Sequence, residues 1–177
     1  MKTIKFLFCL LVVALFVGCK TDATETPAFT LGQKHEGGII FYIDLTGQHG
    51  LIAAPADQSN CASWGCDGKS ITGTSPFNGE GHINTALVIK KCNEKNVAAQ
   101  ICNDLLIDGY SDWFLPSRNE LNLLYLQKDL VGGFVNNFYW SSTEYDNYSV
   151  WAQHFFNGHQ DNNSKFPVAR VRAVRAF

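Results

Sequence analysis

The sequence lacks an apolar run long enough to span a bilayer, any Cys-x2-Cys pair, an excess of basic charge and any internal repeat. Each absence excludes something. A spanning helix needs about 20 apolar residues, and the longest run, Phe6 to Val17, has twelve. Without Cys-x2-Cys pairs, and with five scattered His, no metal site is expected. Fourteen Lys and Arg against sixteen Asp and Glu leave a net charge of −2, which argues against nucleic acid as a generic partner, because phosphate binding wants a strong basic excess. Only 5 Pro and an aperiodic set of 15 Gly exclude collagen-like sequence. GxSxG, HExxH and P-loop patterns are missing as well. No enzyme and no cofactor are therefore expected, with an uncatalogued hydrolase built on an Asp/Glu pair kept as an alternative.

What is present is a chain of 177 residues, 46% hydrophobic and 13% aromatic, enough to bury one core and too short for two full-sized domains. Its first residues read as an address. Lys2 and Lys5 precede the apolar run, and Leu15-Phe16-Val17-Gly18-Cys19 ends in a small residue followed by cysteine. This looks like a bacterial lipobox, with Phe16 where the usual pattern has Leu, so Cys19 is expected to carry lipid. An ordinary signal peptide cleaved elsewhere is the alternative. Residues 1–18 are thus read as a lipoprotein signal peptide, 19–30 as the lipidated Cys with a polar tether containing Pro27, and 31–177 as the domain. Removing Lys2 and Lys5 leaves twelve basic against sixteen acidic side chains, a net charge near −4.

With Cys9 in the signal and Cys19 lipidated, Cys61, Cys66, Cys92 and Cys102 remain. Export favours disulfides. Of the three pairings, the local one, Cys61–Cys66 with Cys92–Cys102, is expected.

Strands are expected over 37–44 and 50–54, from β-branched and aromatic runs separated by a turn at Leu45-Thr46-Gly47. Residues 55–81 read as a long loop. Helices follow over 84–91 and 94–107, the latter stopped by Asp108-Gly109, and a third opens at the Ser117/Glu120 capping box and ends at Gly132-Gly133. Residues 138–143, 150–156 and 168–176 are strand-like, with a turn at Asn157-Gly158. Strands at both ends and helices between them make the fold class α+β.

The run GYSDWFLPSRNEL from Gly109 to Leu121, then Tyr139-Trp140-Ser141-Ser142-Thr143, then Val171-Arg172-Ala173-Val174-Arg175, closely resembles the Lcl C-terminal domain family, formerly a domain of unknown function at the C-terminus of a bacterial collagen-like adhesin. The resemblance runs from about Gly37 to the last residue, with Phe114 where many members have Arg. It implies a C-type-lectin-like fold, helices packed on a looped antiparallel sheet whose first and last strands meet. It also implies extracellular binding, sulfated glycans being the ligand of the adhesin member, and it brings no catalytic residues.

Trp113, Leu115, Trp140 and Trp151 could stack on sugars, but core packing is expected for Trp113 and Trp140; Trp64, in the long loop, is the expected exposed aromatic. The expected binding face comprises the loops at 144–148 and 157–164, with Tyr145, Asp146, Asn147, Tyr148, His159, Asp161 and Asn162 as ligand-binding residues and Trp64 at the rim. Glu144, Asp146, Asn147, Asp161, Asn162 and Asn163 could offer oxygens to calcium, but lack the spacing of a known calcium loop. The alternative anion site is Arg170 with Arg172, on one strand face, while Arg175 takes the other; pairing with the chain's own acids, such as Asp112 and Glu120, is the plain reading of these arginines.

The sequence therefore points to a membrane-anchored lipoprotein of the bacterial cell envelope, at the outer membrane or cell surface, whose domain binds a carbohydrate or other surface ligand. A structural or assembly module is the rival, and self-association is left open.

Overall fold

The computed structural model describes residues 28–177; the signal, Cys19 and most of the tether lie outside the described residues. The elements, in chain order, are β1 (Lys34–His35), β2 (Gly38–Ile43), β3 (Gly50–Ala53), β4 (Ser59–Ser63), α1 (Gly81–Lys91), α2 (Ala98–Asn103), α3 (Arg118–Leu126), α4 (Lys128–Val131), β5 (Phe138–Glu144), β6 (Ser149–His154), β7 (Gln160–Ser164), β8 (Val168–Val171) and β9 (Val174–Ala176). Strands frame a helical middle, so the fold is α+β.

Two sheets form, one in the order β1-β2-β3-β9 and the other β4-β8-β5-β6-β7. Pairing is antiparallel except between β5 and β8, which meet in parallel at Tyr139 and Arg170. Alternation along β2 and β3 buries both faces of the first sheet. Ile40 and Ile52 join a cluster with Trp64, Trp113, Trp140, Val88 of α1 and Ala98 and Ala99 of α2. Phe41, Leu51 and Ala53 face the other way, onto Leu121 and Leu124 of α3, Val131 of α4, Tyr139 and Phe155. Period-two alternation thus sandwiches one sheet between two cores and two helix pairs. Each fully buried large side chain contributes about 1.5–3 kcal/mol of apolar transfer.

The helix starts show why the middle folds as it does. Ser117 accepts from the backbone N–H of Glu120, whose carboxylate accepts from Ser117 N at 2.8 Å, the expected capping box. Glu120 is fully buried and also accepts from Gly79 N at 2.7 Å, so one carboxylate ties α3 to the loop before α1. Burial pushes its carboxyl up, against the pull of these hydrogen bonds.

Four expectations are corrected. The segment 168–176 is two strands: after β8 the chain leaves the second sheet at Arg172-Ala173 and enters the first as β9. The long loop contains β4, and the stretch 157–164 contains β7. Both are polar edge strands whose order comes from pairing with β8 and β6, so they carry little apolar alternation to read. The helix expected over 94–107 shrinks to Ala98–Asn103, because Asn96 turns left-handed (φ 60°) and Val97 is extended.

The disulfide is Cys66–Cys92, with Cα atoms 5.5 Å apart; Cys61 and Cys102 are free. The expected local pairing fails on orientation. Cys61 lies exposed on β4, whereas Cys66, after a left-handed turn, points into the core at the C-terminal end of α1. Cys102 is buried in α2 as an apolar side chain, where desolvation pushes its thiol up. Gly65 is required beside this bridge: it has φ 92°, and a Cβ there would lie 2.5 Å from Val97.

Candidate functional site

Along β6 the side chains of Val150 and Ala152 are buried, while Trp151 points the other way and is half-buried. The ring is covered on one side by the first residue of α3: the Arg118 guanidinium carbon sits 3.5 Å from the ring centroid. The arginine is fixed at both ends. Its backbone N–H donates to Thr143 Oγ1 at 3.0 Å, and its Nε donates to Gln160 Oε1 at 2.9 Å, while Gln160 Nε2 donates back to the Arg118 carbonyl at 2.8 Å. Tyr145, exposed, meets the indole edge-on with centroids 5.5 Å apart, and Asn162 lies directly opposite Trp151 in the β6–β7 register. One surface therefore presents an indole, a phenol, a guanidinium and a carboxamide.

The charge on this surface is uncompensated. Arg170 and Arg172 pair with Asp57, and Arg175 pairs with Asp112 and Glu36. Arg118 alone of the four arginines has no carboxylate within ion-pairing distance among the described residues.

Beneath the Tyr145–Tyr148 turn lies a rigid base. Lys165 is buried, and its Nζ donates to Glu144 Oε1 at 2.6 Å, Lys69 O at 2.9 Å and Asn147 O at 3.1 Å. Glu144 also accepts from Ile71 N at 2.7 Å. Asp146 accepts from Tyr148 N, Ser149 N and Ser149 Oγ, all within 2.8 Å, and the Ser149 hydroxyl above all holds its carboxyl below the usual carboxylate range. Asp146 thus builds the turn, Asn147 contributes its carbonyl to Lys165, and Tyr145 and Tyr148 stay exposed.

The other expected residues fall elsewhere. His159 sits in the β6–β7 turn, at the far end of β6 from Tyr145, a separation of about 17 Å at 3.4 Å per residue. Its nearest charged neighbour is Asp161 at 3.9 Å. Of the two stretches expected to form one face, only the turn before β7, with His159, lies at the far end of the hairpin; β7 runs back so that Asn162 faces Trp151 and Ser164 pairs with Ser149 beside the Tyr145–Tyr148 turn. Trp64 is a correction: it is fully buried, its Nε1 donating to Ser141 O at 2.8 Å, with Lys165 Nζ 4.9 Å from its ring. A loop pinned by a disulfide can bury its largest side chain. Trp113 and Trp140 are core residues, as expected, and Leu115 is buried with them.

The arginine pair is also internal. Arg172 is buried at the crossover between sheets, where Nε donates to Asp57 Oδ1 at 2.8 Å and the guanidinium reaches the carbonyls of Ala54, Gly132 and Gly133. Arg170 and the Tyr139 hydroxyl donate to the other Asp57 oxygen at 2.9 and 3.0 Å, and burial pushes the Tyr139 hydroxyl up to about 12. These arginines pair with the chain's own acids, as in the plain reading, though with Asp57 rather than Glu120; Arg175 pairs with Asp112 and Glu36 from β9 in the other sheet, not from the opposite face of a shared strand.

Arg118 and Gln160 were missed, and Trp151 was weighed without its partner. A signal existed: Arg118 is the first residue of a helix, where the macrodipole disfavours a cation, and a broken local rule marks functional positions.

Among the described residues, no helix is long and apolar enough to cross a membrane. No curated protein sequence matches the chain. A family model described as the Lcl C-terminal domain matches residues 56–175, from the loop before β4 into β9, which takes in all four helices and the Trp151 surface and leaves out β1, β2 and β3. The chain belongs to the Lcl C-terminal domain family.

Proposed function

We propose that this protein is a lipid-anchored component of the bacterial cell envelope whose domain binds an acidic saccharide, without chemistry, on the surface formed by Trp151, Arg118, Tyr145, Gln160 and Asn162. The observation that carries the reading is the Arg118–Trp151 stack. A flat ring takes the apolar face of a sugar. A guanidinium held by Gln160 and lacking an acid partner among the described residues offers its remaining donors to a sulfate or carboxylate in fixed geometry. Asn162 and Tyr145 add hydroxyl-matching groups at the edge. The family's tie to a collagen-like adhesin supports the same class of ligand, and the Gly18-Cys19 signal supports display at a membrane.

A glycan array probed with the purified domain tests this. Sulfated or uronic-acid-containing glycans are expected to be bound over neutral ones; an assembly module would bind no saccharide.

A further inference from the structure

The described chain begins inside an apolar groove. Ala28 to Leu31 line a cavity of about 840 Å³ together with Phe41, Tyr42, the β2–β3 turn, and Leu123 and Leu126 of α3. Around it the surface is unusually apolar: Leu45 is fully exposed, Leu126 is 62% exposed, Leu130 48% and Leu31 44%. Leu45 is not loose. Asp44, beside it, accepts from Thr46 Oγ1 at 2.6 Å, Thr46 N at 3.0 Å and Gly47 N at 3.1 Å, so the turn holds that leucine outward. Leu130 lies against Gly32, joining α4 to the N-terminal segment.

Four outward leucines around one groove form the kind of patch that marks an interaction surface. Its occupant is indicated by where the chain enters. Only eight residues lie between Cys19 and Ala28, a reach of about 30 Å over the nine steps at ~3.5 Å per residue, so a lipid on Cys19 would hold this end of the domain at the bilayer. The groove sits at the C-terminal end of α3, whereas Arg118 opens the same helix, about 12 Å away along its axis at 1.5 Å per residue.

We propose that Leu31, Leu45, Leu126 and Leu130 form a membrane-contact surface, which seats the domain on the bilayer and leaves the Trp151 surface pointing away from it. This rests on lipidation at Cys19, as in the proposed function. Insertion of leucine side chains into the interfacial region is apolar, so the contact is insensitive to salt.

The test uses the full lipidated chain in phosphatidylcholine vesicles, carrying Cys61→Ser and a polarity-sensitive fluorophore at Leu45→Cys, or at Asp161→Cys on the exposed β7 edge as a reference. The Leu45 label should be quenched by nitroxide lipids and protected at least roughly fivefold from aqueous iodide relative to the Asp161 label; 1 M salt should not change this. Equal exposure of both labels to iodide, in protein that cosediments with vesicles, would overturn the seating while leaving the anchor intact. Protection from both quenchers would indicate a second copy in the groove and would also overturn it. The anchor is read separately, from the mass of the mature N-terminus: absence of acyl chains there removes the premise and overturns both readings.

Discussion

The guanidinium of Arg118 lies 3.5 Å from the centre of the Trp151 ring, and no carboxylate of the described chain neutralises it. A cation stacked on a half-exposed indole gains about 0.5–1 kcal/mol, and a positive charge at a helix N-terminus loses about 0.3–1 kcal/mol. The two nearly cancel. The stack itself therefore adds little to stability, as expected of a residue proposed to serve recognition. Arg118→Ala should change unfolding free energy by under about 1 kcal/mol, read by urea denaturation; a loss of several kcal/mol would make Arg118 a structural strut.

The disulfide makes the opposite prediction. Closing 26 residues of separation, the Cys66–Cys92 bridge should stabilise by about 3.5 kcal/mol through the unfolded chain. Cys92→Ser should lower the denaturation midpoint accordingly. In unreduced native protein, alkylation should mark Cys61 alone of the four domain cysteines, with Cys102 reacting only after unfolding.

Lys165 and Glu144 have side chains 0% and 8% exposed. Removing one partner strands a buried charge, so Lys165→Met should destabilise by about 3–5 kcal/mol and loosen the Tyr145–Tyr148 turn. Adding Glu144→Gln should recover part of that loss, since the stranded charge is gone. Thermal melts of the single and double variants provide the comparison, and no recovery would contradict the buried pair as the cause.

Acid should weaken the fold partly through Asp112. Its hydrogen bonds from Arg175 hold its carboxyl below the ordinary 3.8. A depressed folded value means that its contribution is present above pH 3.8 and is lost as pH falls through the lower folded value. Asp112→Asn should flatten this part of the pH dependence; an unchanged acid limb in melting experiments would assign it to other carboxylates.

Much of the fold was legible because its signals are local. The β2–β3 ribbon follows from β-branched and aromatic runs around a turn, and α3 from Ser117 and Glu120, which the structure joins as a capping box. What stayed hidden depended on contacts distant in sequence. Ser59–Ser63 and Gln160–Ser164 are strands through their partners, Trp64 is buried because Ser141 and Lys165 close over it, and Cys66 finds Cys92 by orientation. The candidate site divides the same way. Tyr145 and Asn162 were readable as exposed polar and aromatic residues, but Arg118 meets Trp151 only once α3 is packed on β6.

The most direct test is titration calorimetry of a sulfated oligosaccharide into the wild-type domain, Trp151→Ala and Arg118→Ala, at low and high salt. The account predicts binding by the wild-type domain that weakens as salt rises. It also predicts a loss of about tenfold or more in each variant, equivalent to about 1.4 kcal/mol, with melting temperatures little changed. Equal affinity in all three proteins, or no binding of any sulfated or carboxylated saccharide by the wild-type domain, would contradict it.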